Sequence, residues 1–143
     1  MDVLSPEQRV RCMAAVRSIN TYPELQVRRI VHRLGYRYRL HVRELPGRPD
    51  LVFPSRRKVI FVHGCFWHRH NCPAGRSFPA TRQEFWLKKL SRNRERDREQ
   101  RTALKKMGWE VMIIWECTLD RRGPDSVVSA INSFLFRRNG HTA

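Results

Sequence analysis

Residues 58 to 72 read K-V-I-F-V-H-G-C-F-W-H-R-H-N-C. Lys58 to Val62 is a β-branched and aromatic run behind a P-S-R-R turn at 54–57, the pattern of a buried strand. Directly after it, three histidines, two cysteines and a Phe-Trp pair crowd into Val62 to Cys72. A strand that empties into such a loop is the pivot of the fold, because its neighbours decide which donors meet.

Upstream, Leu51 to Phe53 is a short apolar run, and Tyr36 to Val42 alternates aromatic or aliphatic with basic residues. With Lys58 to Val62 these make a hairpin or meander. Downstream, Thr81 to Met107 reads as one long charged helix closed by Gly108. Trp109 to Trp115 follows as a strand apolar on both faces, which predicts a central position in the sheet. A last helix runs from about Pro124 to Arg137, with Val127, Val128, Ile131 and Leu135 at helical spacing. Three helix starts carry a capping-box pattern: Ser5 with Gln8, Thr21 with Glu24, and Thr81 with Glu84. The first helix, with Pro6 at its first position, should reach about Arg17. The second should run from about Tyr22 to His32 or Leu34 and end at Gly35. The order ααβββαβα is a mixed α/β layer architecture, expected as one domain over residues 1–143, with the N-terminal helices (about 5–34) on or beside the core.

Length fits that reading, since 143 residues can bury a core without a disulfide framework. Lys and Arg number 29 against 13 Asp and Glu, a formal charge of +16 spread along the chain. Such a field favours a polyanion, nucleic acid above all. No apolar run approaches a membrane span and the N-terminus has no signal-peptide core, so a cytoplasmic protein is expected. In that compartment the cysteines Cys12, Cys65, Cys72 and Cys117 are metal ligands or free thiols rather than disulfides.

Tetrahedral zinc takes four Cys or His ligands. Cys65, His70 and Cys72 share the loop, and Cys117 follows the strand Trp109 to Trp115. If those two strands are neighbours, a Cys3His site closes, and Cys12 is left as a core or surface thiol. His63 and His68 then have no structural task and are suited to proton transfer on a phosphodiester. Asp50 heads the strand Leu51 to Phe53 in L-P-G-R-P-D (45–50). With a backbone carbonyl near the end of the next strand it suits a hard cation such as Mg2+, although Pro-Asp also caps turns. In the long helix Trp86, Leu90, Asn93, Asp97, Leu104 and Met107 share one stripe, which turns Asp97 inward. Its partner is either a neighbouring arginine or a catalytic group.

The segments L-P-G-R-P-D (45–50), H-G-C-F-W-H (63–68), P-A-T-R-Q-E-F-W-L (79–87), N-R-E-R-D (93–97) and W-E-C (115–117) resemble the very short patch repair endonucleases, in order and over nearly the whole chain. The resemblance implies a restriction-endonuclease-like mixed sheet flanked by helices with a structural zinc. It also implies Mg2+-dependent nicking of double-stranded DNA 5′ of the T in a T·G mismatch left by deamination of 5-methylcytosine. It implies that Asp50 and the main-chain carbonyl of Val62 hold Mg2+, that His68 activates water and is oriented by Asp97, and that His63 contacts the phosphate. Glu24, otherwise the capping partner of Thr21, would hold water on the cation.

Phe66, Trp67 and Trp86 resemble rings that the family wedges beside the mismatch, although Trp86 also reads as core and Phe66 as a loop anchor. Met13 would wedge from the opposite groove. A monomer is implied, with mismatch-repair proteins such as MutL as candidate partners. Arg69, Asn71 and the P-A-G-R-S stretch after Cys72 depart from the family pattern. The alternatives are a restriction-type enzyme that cuts both strands and a non-catalytic, zinc-stabilised DNA-binding module.

Overall fold

The computed structural model describes residues 21–121 and 123–137. The expected first helix, with Ser5, Gln8, Cys12 and Met13, lies outside them. The elements are α1 (Tyr22–Arg33), β1 (Arg39–Leu40), β2 (Leu51–Phe53), β3 (Lys58–His63), α2 (Pro73–Arg76), α3 (Gln83–Lys106), β4 (Glu110–Trp115), α4 (Glu116–Arg121) and α5 (Gly123–Phe136). The sheet order is β1-β2-β3-β4. The first two pairings are antiparallel and β3–β4 is parallel, in register from Lys58 opposite Glu110 to His63 opposite Trp115. A parallel neighbour needs a long crossover, and the loop after β3 together with α3 supplies it. No helix among the described residues is long and apolar enough to cross a membrane.

The period of two along β3 sorts the core into two layers. Ile60, with Leu51, Phe53 and Ile114, packs against Val27 and Val31 of α1 and Val127, Ile131 and Leu135 of α5. Val59 and Phe61, with Val52 and Leu104 of α3, form the opposite layer. Val59 and Ile60 are fully buried, each contributing about 1.5–3 kcal/mol of apolar burial. β3 extends one residue past the expected Val62, and the same alternation aims His63 at the α3 side, where Asp97 lies. The third cluster, Trp67, Trp86 and Leu90 with Phe66 against it, anchors the loop after β3 to the start of α3.

Several expectations are corrected. β4 is an edge strand among the described residues. It is apolar on both faces because Met112 and Ile114 meet one layer while Val111 and Ile113 meet the other. The Tyr36 to Val42 strand shrinks to Arg39–Leu40, since His41 turns at φ 48° and a tight turn follows. α3 starts at Gln83 with no side-chain cap, so Thr81 and Glu84 make no capping box. At α1 only half of the box forms: Thr21 Oγ1 accepts from the Glu24 amide at 3.4 Å, while the Glu24 carboxylate turns elsewhere. Met107 is exposed, because the stripe ends with the helix. The helices α2 and α4 were not anticipated.

Both long helix ends behave as read. At α1, Gly35 (φ 86°) donates to His32 O and Tyr36 to Val31 O. At α3, Gly108 (φ 88°) donates to Lys105 O and Trp109 to Leu104 O. The left-handed glycine lets two orphan carbonyls be satisfied in each case. Lys58, fully buried, serves α5 similarly: its ammonium donates to Phe134 O and Arg137 O, while Arg56 donates to Leu135 O at 2.7 Å. Cations at a helix C-terminus also meet the negative end of its dipole. Burial holds the Lys58 amine below its ordinary value.

Candidate active site and metal centre

The loop after β3 is wound tightly, with His68 N–H donating to Gly64 O, His70 N–H to Cys65 O and Cys72 N–H to His70 O. Arg69 sits between the two histidines at φ 52°, a left-handed turn costing about 1–2 kcal/mol for a residue with a Cβ. The Arg69 guanidinium is held by Ser77 O at 2.7 Å and lies 5.0 Å over the Phe78 ring. The consequence is a parting of the donors: His68 faces α3, and His70 faces the cysteines.

Cys65, His70, Cys72 and Cys117 bring one donor atom each within 4.8 Å of one another. His70 Nδ1 lies 3.7 Å from Cys65 Sγ and 3.4 Å from Cys117 Sγ. A tetrahedron with Zn–S and Zn–N bonds of ordinary length has edges of about 3.5–3.8 Å, so the donor set fits zinc. Burial, with Cys117 and Cys72 crowded alongside, pushes the Cys65 thiol up to about 12. Burial opposes ionisation of Cys72 too, but the Gly75 amide and its thiol neighbours bring it below the ordinary value. Burial also lowers His70, favouring the neutral imidazole that a metal needs. Gly75 is required sterically, since a Cβ there would meet His70 O at 1.9 Å. Cys117 arrives on the first turn of α4, and Glu116 beside it accepts from the Cys65 amide at 2.9 Å.

A separate cleft is lined by His41, Gly47, Arg48, Asp50, Phe61, Val62, His63, His68, Asn93, Arg96, Asp97 and Gln100. His68 Nδ1 is hydrogen-bonded to Asp97 Oδ2, and the His63 ring stacks on His68 at 3.8 Å with 6° between planes. Trp115 joins the two sites, edge-on to His63 and stacked at 4.2 Å on His70. Asn93, the other polar residue of the stripe, donates to Trp67 O at 3.4 Å and ties the loop to α3.

At the far side of the cleft, Asp50 Oδ2 accepts from the Val62 amide at 2.6 Å. In a strand the amide and carbonyl of one residue face the same neighbour, so the Val62 carbonyl lies on the Asp50 side as well. Burial, then the hydrogen bond and charge of Glu24, push the Asp50 carboxyl up to about 8 against the opposing Val62 amide. Burial also raises Glu24, but hydrogen bonds to Asp50 and His41 and the Arg28 charge outweigh it, and the group lies below its usual value. Two carboxylates, the buried Glu24 and the partly buried Asp50, crowd into a site whose charge a divalent cation would balance, so the oxygen donors fit Mg2+.

His41 is the residue that sequence reasoning missed. Its Nε2 lies 2.8 Å from Glu24 Oε1 and 3.8 Å from Asp50 Oδ1. A signal existed: the P-G turn of 46–47 closes the segment between β1 and β2, and one step beyond the Leu40–Leu51 pair stand His41 and Asp50. Trp67 and Trp86 are 7% exposed and form a packed ridge in the DNA-free chain. Ring centroids along Phe66, Trp67 and Trp86 are 5.3–5.8 Å apart, and Phe85 stands exposed beside them at 5.4 Å from Trp86.

Comparison with known proteins gives the same direction. A family model described as DNA mismatch endonuclease Vsr matches residues 1–74. The type II nicking enzyme V.XorIIP of Xanthomonas oryzae pv. oryzae is 52% identical over 122 residues, covering 85% of this chain and 89% of that protein. The DNA mismatch endonuclease Vsr of Escherichia coli is 43% identical over 121 residues, covering 85% and 77%. The type II nicking enzyme V.NmeAIP of Neisseria meningitidis is 37% identical over 121 residues, covering 85% and 86%. Identity at this level over most of both partners leaves one conclusion: the chain belongs to the Vsr family of DNA mismatch endonucleases, enzymes that hydrolyse the DNA backbone.

Proposed function

We propose that this endonuclease nicks one strand of duplex DNA 5′ of the thymine in a T·G mismatch, as left by deamination of 5-methylcytosine. One observation carries the reading: His68 and Asp97 line the same cleft as Asp50, while His70 is turned away to the cysteines. The Asp97 carboxylate holds the hydrogen on His68 Nδ1, which puts the lone pair on Nε2, where it can take a proton from the attacking water. Asp97 also stabilises the imidazolium that results. Asp50 and the Val62 carbonyl would hold Mg2+, which when bound supplies charge neutralisation at the scissile phosphate. Glu24 would order water at that position. His63, Arg48 and Arg96 would meet phosphate oxygens, consistent with the charge of +16.

Cys65, His70, Cys72 and Cys117 would hold a structural zinc that keeps the loop rigid while His68 works. Phe66, Trp67 and Trp86 would open toward the base stack, with Met13 entering from the other groove. Unstacking costs a few kcal/mol, and less at a defective pair, which favours the mismatch over matched DNA. The enzyme would act as a monomer in the cytoplasm, at the nucleoid, with MutL-type repair proteins as partners.

The test is incubation with Mg2+ and labelled duplexes carrying T·G, T·A or C·G at one position, read on a denaturing gel. A cut confined to the T strand, just 5′ of the T, is expected, and Asp50→Ala should bind the duplex without cutting it. Cleavage of both strands in matched DNA would favour a restriction-type enzyme. Binding with no cleavage under any condition would leave a non-catalytic DNA-binding module.

A further inference from the structure

We propose that His41 is a direct ligand of the catalytic cation beside Asp50, with Glu24 closing the site through the water it holds, making the centre a mixed nitrogen and oxygen site that prefers a transition-series ion such as Mn2+ over Mg2+. The inference rests on the assignment of Asp50 to a metal site. Three donor atoms, one from each residue, lie within 4.8 Å of one another. The separations from His41 Nε2, 2.8 Å to Glu24 and 3.8 Å to Asp50, bracket the spacing of about 3 Å between adjacent ligands in an octahedron with bonds of about 2.1 Å. His41 is 15% exposed, Asp50 18% and Glu24 2%, so the set is walled on the protein side and open toward the cleft. His41 reaches this point because its backbone turns at φ 48° directly after β1.

The chemistry of the donor then sets the preference. Mg2+ takes oxygen and gives up water reluctantly, whereas an imidazole nitrogen adds affinity for first-row transition ions. A site with oxygen donors alone would be a magnesium site. Adding His41 raises affinity for Mn2+ more than for Mg2+.

The experiment uses the full chain, with Mn2+ and Mg2+ as probes and no DNA. Free Mn2+ is followed by the loss of its aqueous paramagnetic resonance signal, Mg2+ by competition, and nitrogen ligation by the 14N coupling on bound Mn2+. Wild type is expected to bind Mn2+ at least about tenfold more tightly than His41→Gln, with Mg2+ affinity changed less than about threefold. The 14N coupling should disappear in His41→Gln and persist in His63→Gln. Unchanged Mn2+ affinity and coupling in His41→Gln, while Asp50→Ala binds neither ion, would overturn the role of His41 and leave the metal site standing. Full binding of both ions by Asp50→Ala would overturn the metal site itself. His41→Asn is the second variant should the glutamine change impair folding.

Discussion

Replacing Asp97 with Asn removes a charge and almost no volume. In the structure Asp97 is 15% exposed and His68 13%, so the pair is only partly screened by solvent and its loss is felt at the imidazole. Two outcomes are open to the carboxamide. If its NH2 faces Nδ1, the ring hydrogen moves to Nε2 and the base is blocked. If its oxygen faces Nδ1, the tautomer survives but the imidazolium loses its counter-charge. A positioned base is worth about 10²–10⁴ in rate, so nicking should fall within that range, or about 3–5 kcal/mol of transition-state stabilisation. Single-turnover cleavage of a T·G duplex at saturating enzyme isolates the chemical step, with DNA affinity and melting temperature measured alongside. Cleavage within about threefold of wild type, at equal occupancy and fold stability, would reduce Asp97 to a structural ion pair and remove the base assignment from His68.

Purified wild type should carry one zinc per chain by elemental analysis. Cys117→Ser should lose the metal and melt earlier, since a structural zinc contributes folding free energy directly; a metal-free variant with an unchanged melt would refute the centre. Gly75→Ala should destabilise by several kcal/mol and release zinc, because its Cβ overlaps the His70 carbonyl at 1.9 Å; a neutral thermal melt would contradict that packing. Lys58→Met should cost about 1–3 kcal/mol in a urea titration, as the Phe134 and Arg137 carbonyls at the end of α5, the first of them buried, lose their donor. The Lys58 amine sits below its ordinary value in the fold, so the unfolded chain keeps that proton longer as pH rises. Alkaline pH should therefore stabilise wild type relative to Lys58→Met, and parallel stability curves toward pH 10 would argue against the burial.

Local chemistry made much of this molecule legible in one dimension. Glycines at 35 and 108 stop their helices because only a residue without Cβ turns left-handed so cheaply, and that holds in any tertiary setting. The short apolar runs at 51–53 and 58–62 become adjacent strands because a four-residue turn leaves them little else to pair with. Strand order was not legible in this way. Apolar residues on both faces of β4 say that both faces are covered, which is equally true of an edge strand between two helical layers. Capping also misled at Thr81, where the chain enters α3 through a left-handed Arg82.

The donors divide along the same line. Residue type and spacing offered Cys65, His70, Cys72 and Cys117 as a tetrahedral set, provided the strands before the loop and before Cys117 are neighbours, and helical period turned Asp97 inward. Parting His68 from His70 took the turn at Arg69 and the parallel register of β3 with β4. His41 had only one local mark, the P-G turn that folds its segment back onto Asp50. It sits beside Asp50 because two antiparallel strands close at the mouth of a turn, and it reaches Glu24 because α1 packs across the sheet there. A contact between distant segments is set by how the layers close, and no spacing along the chain records it.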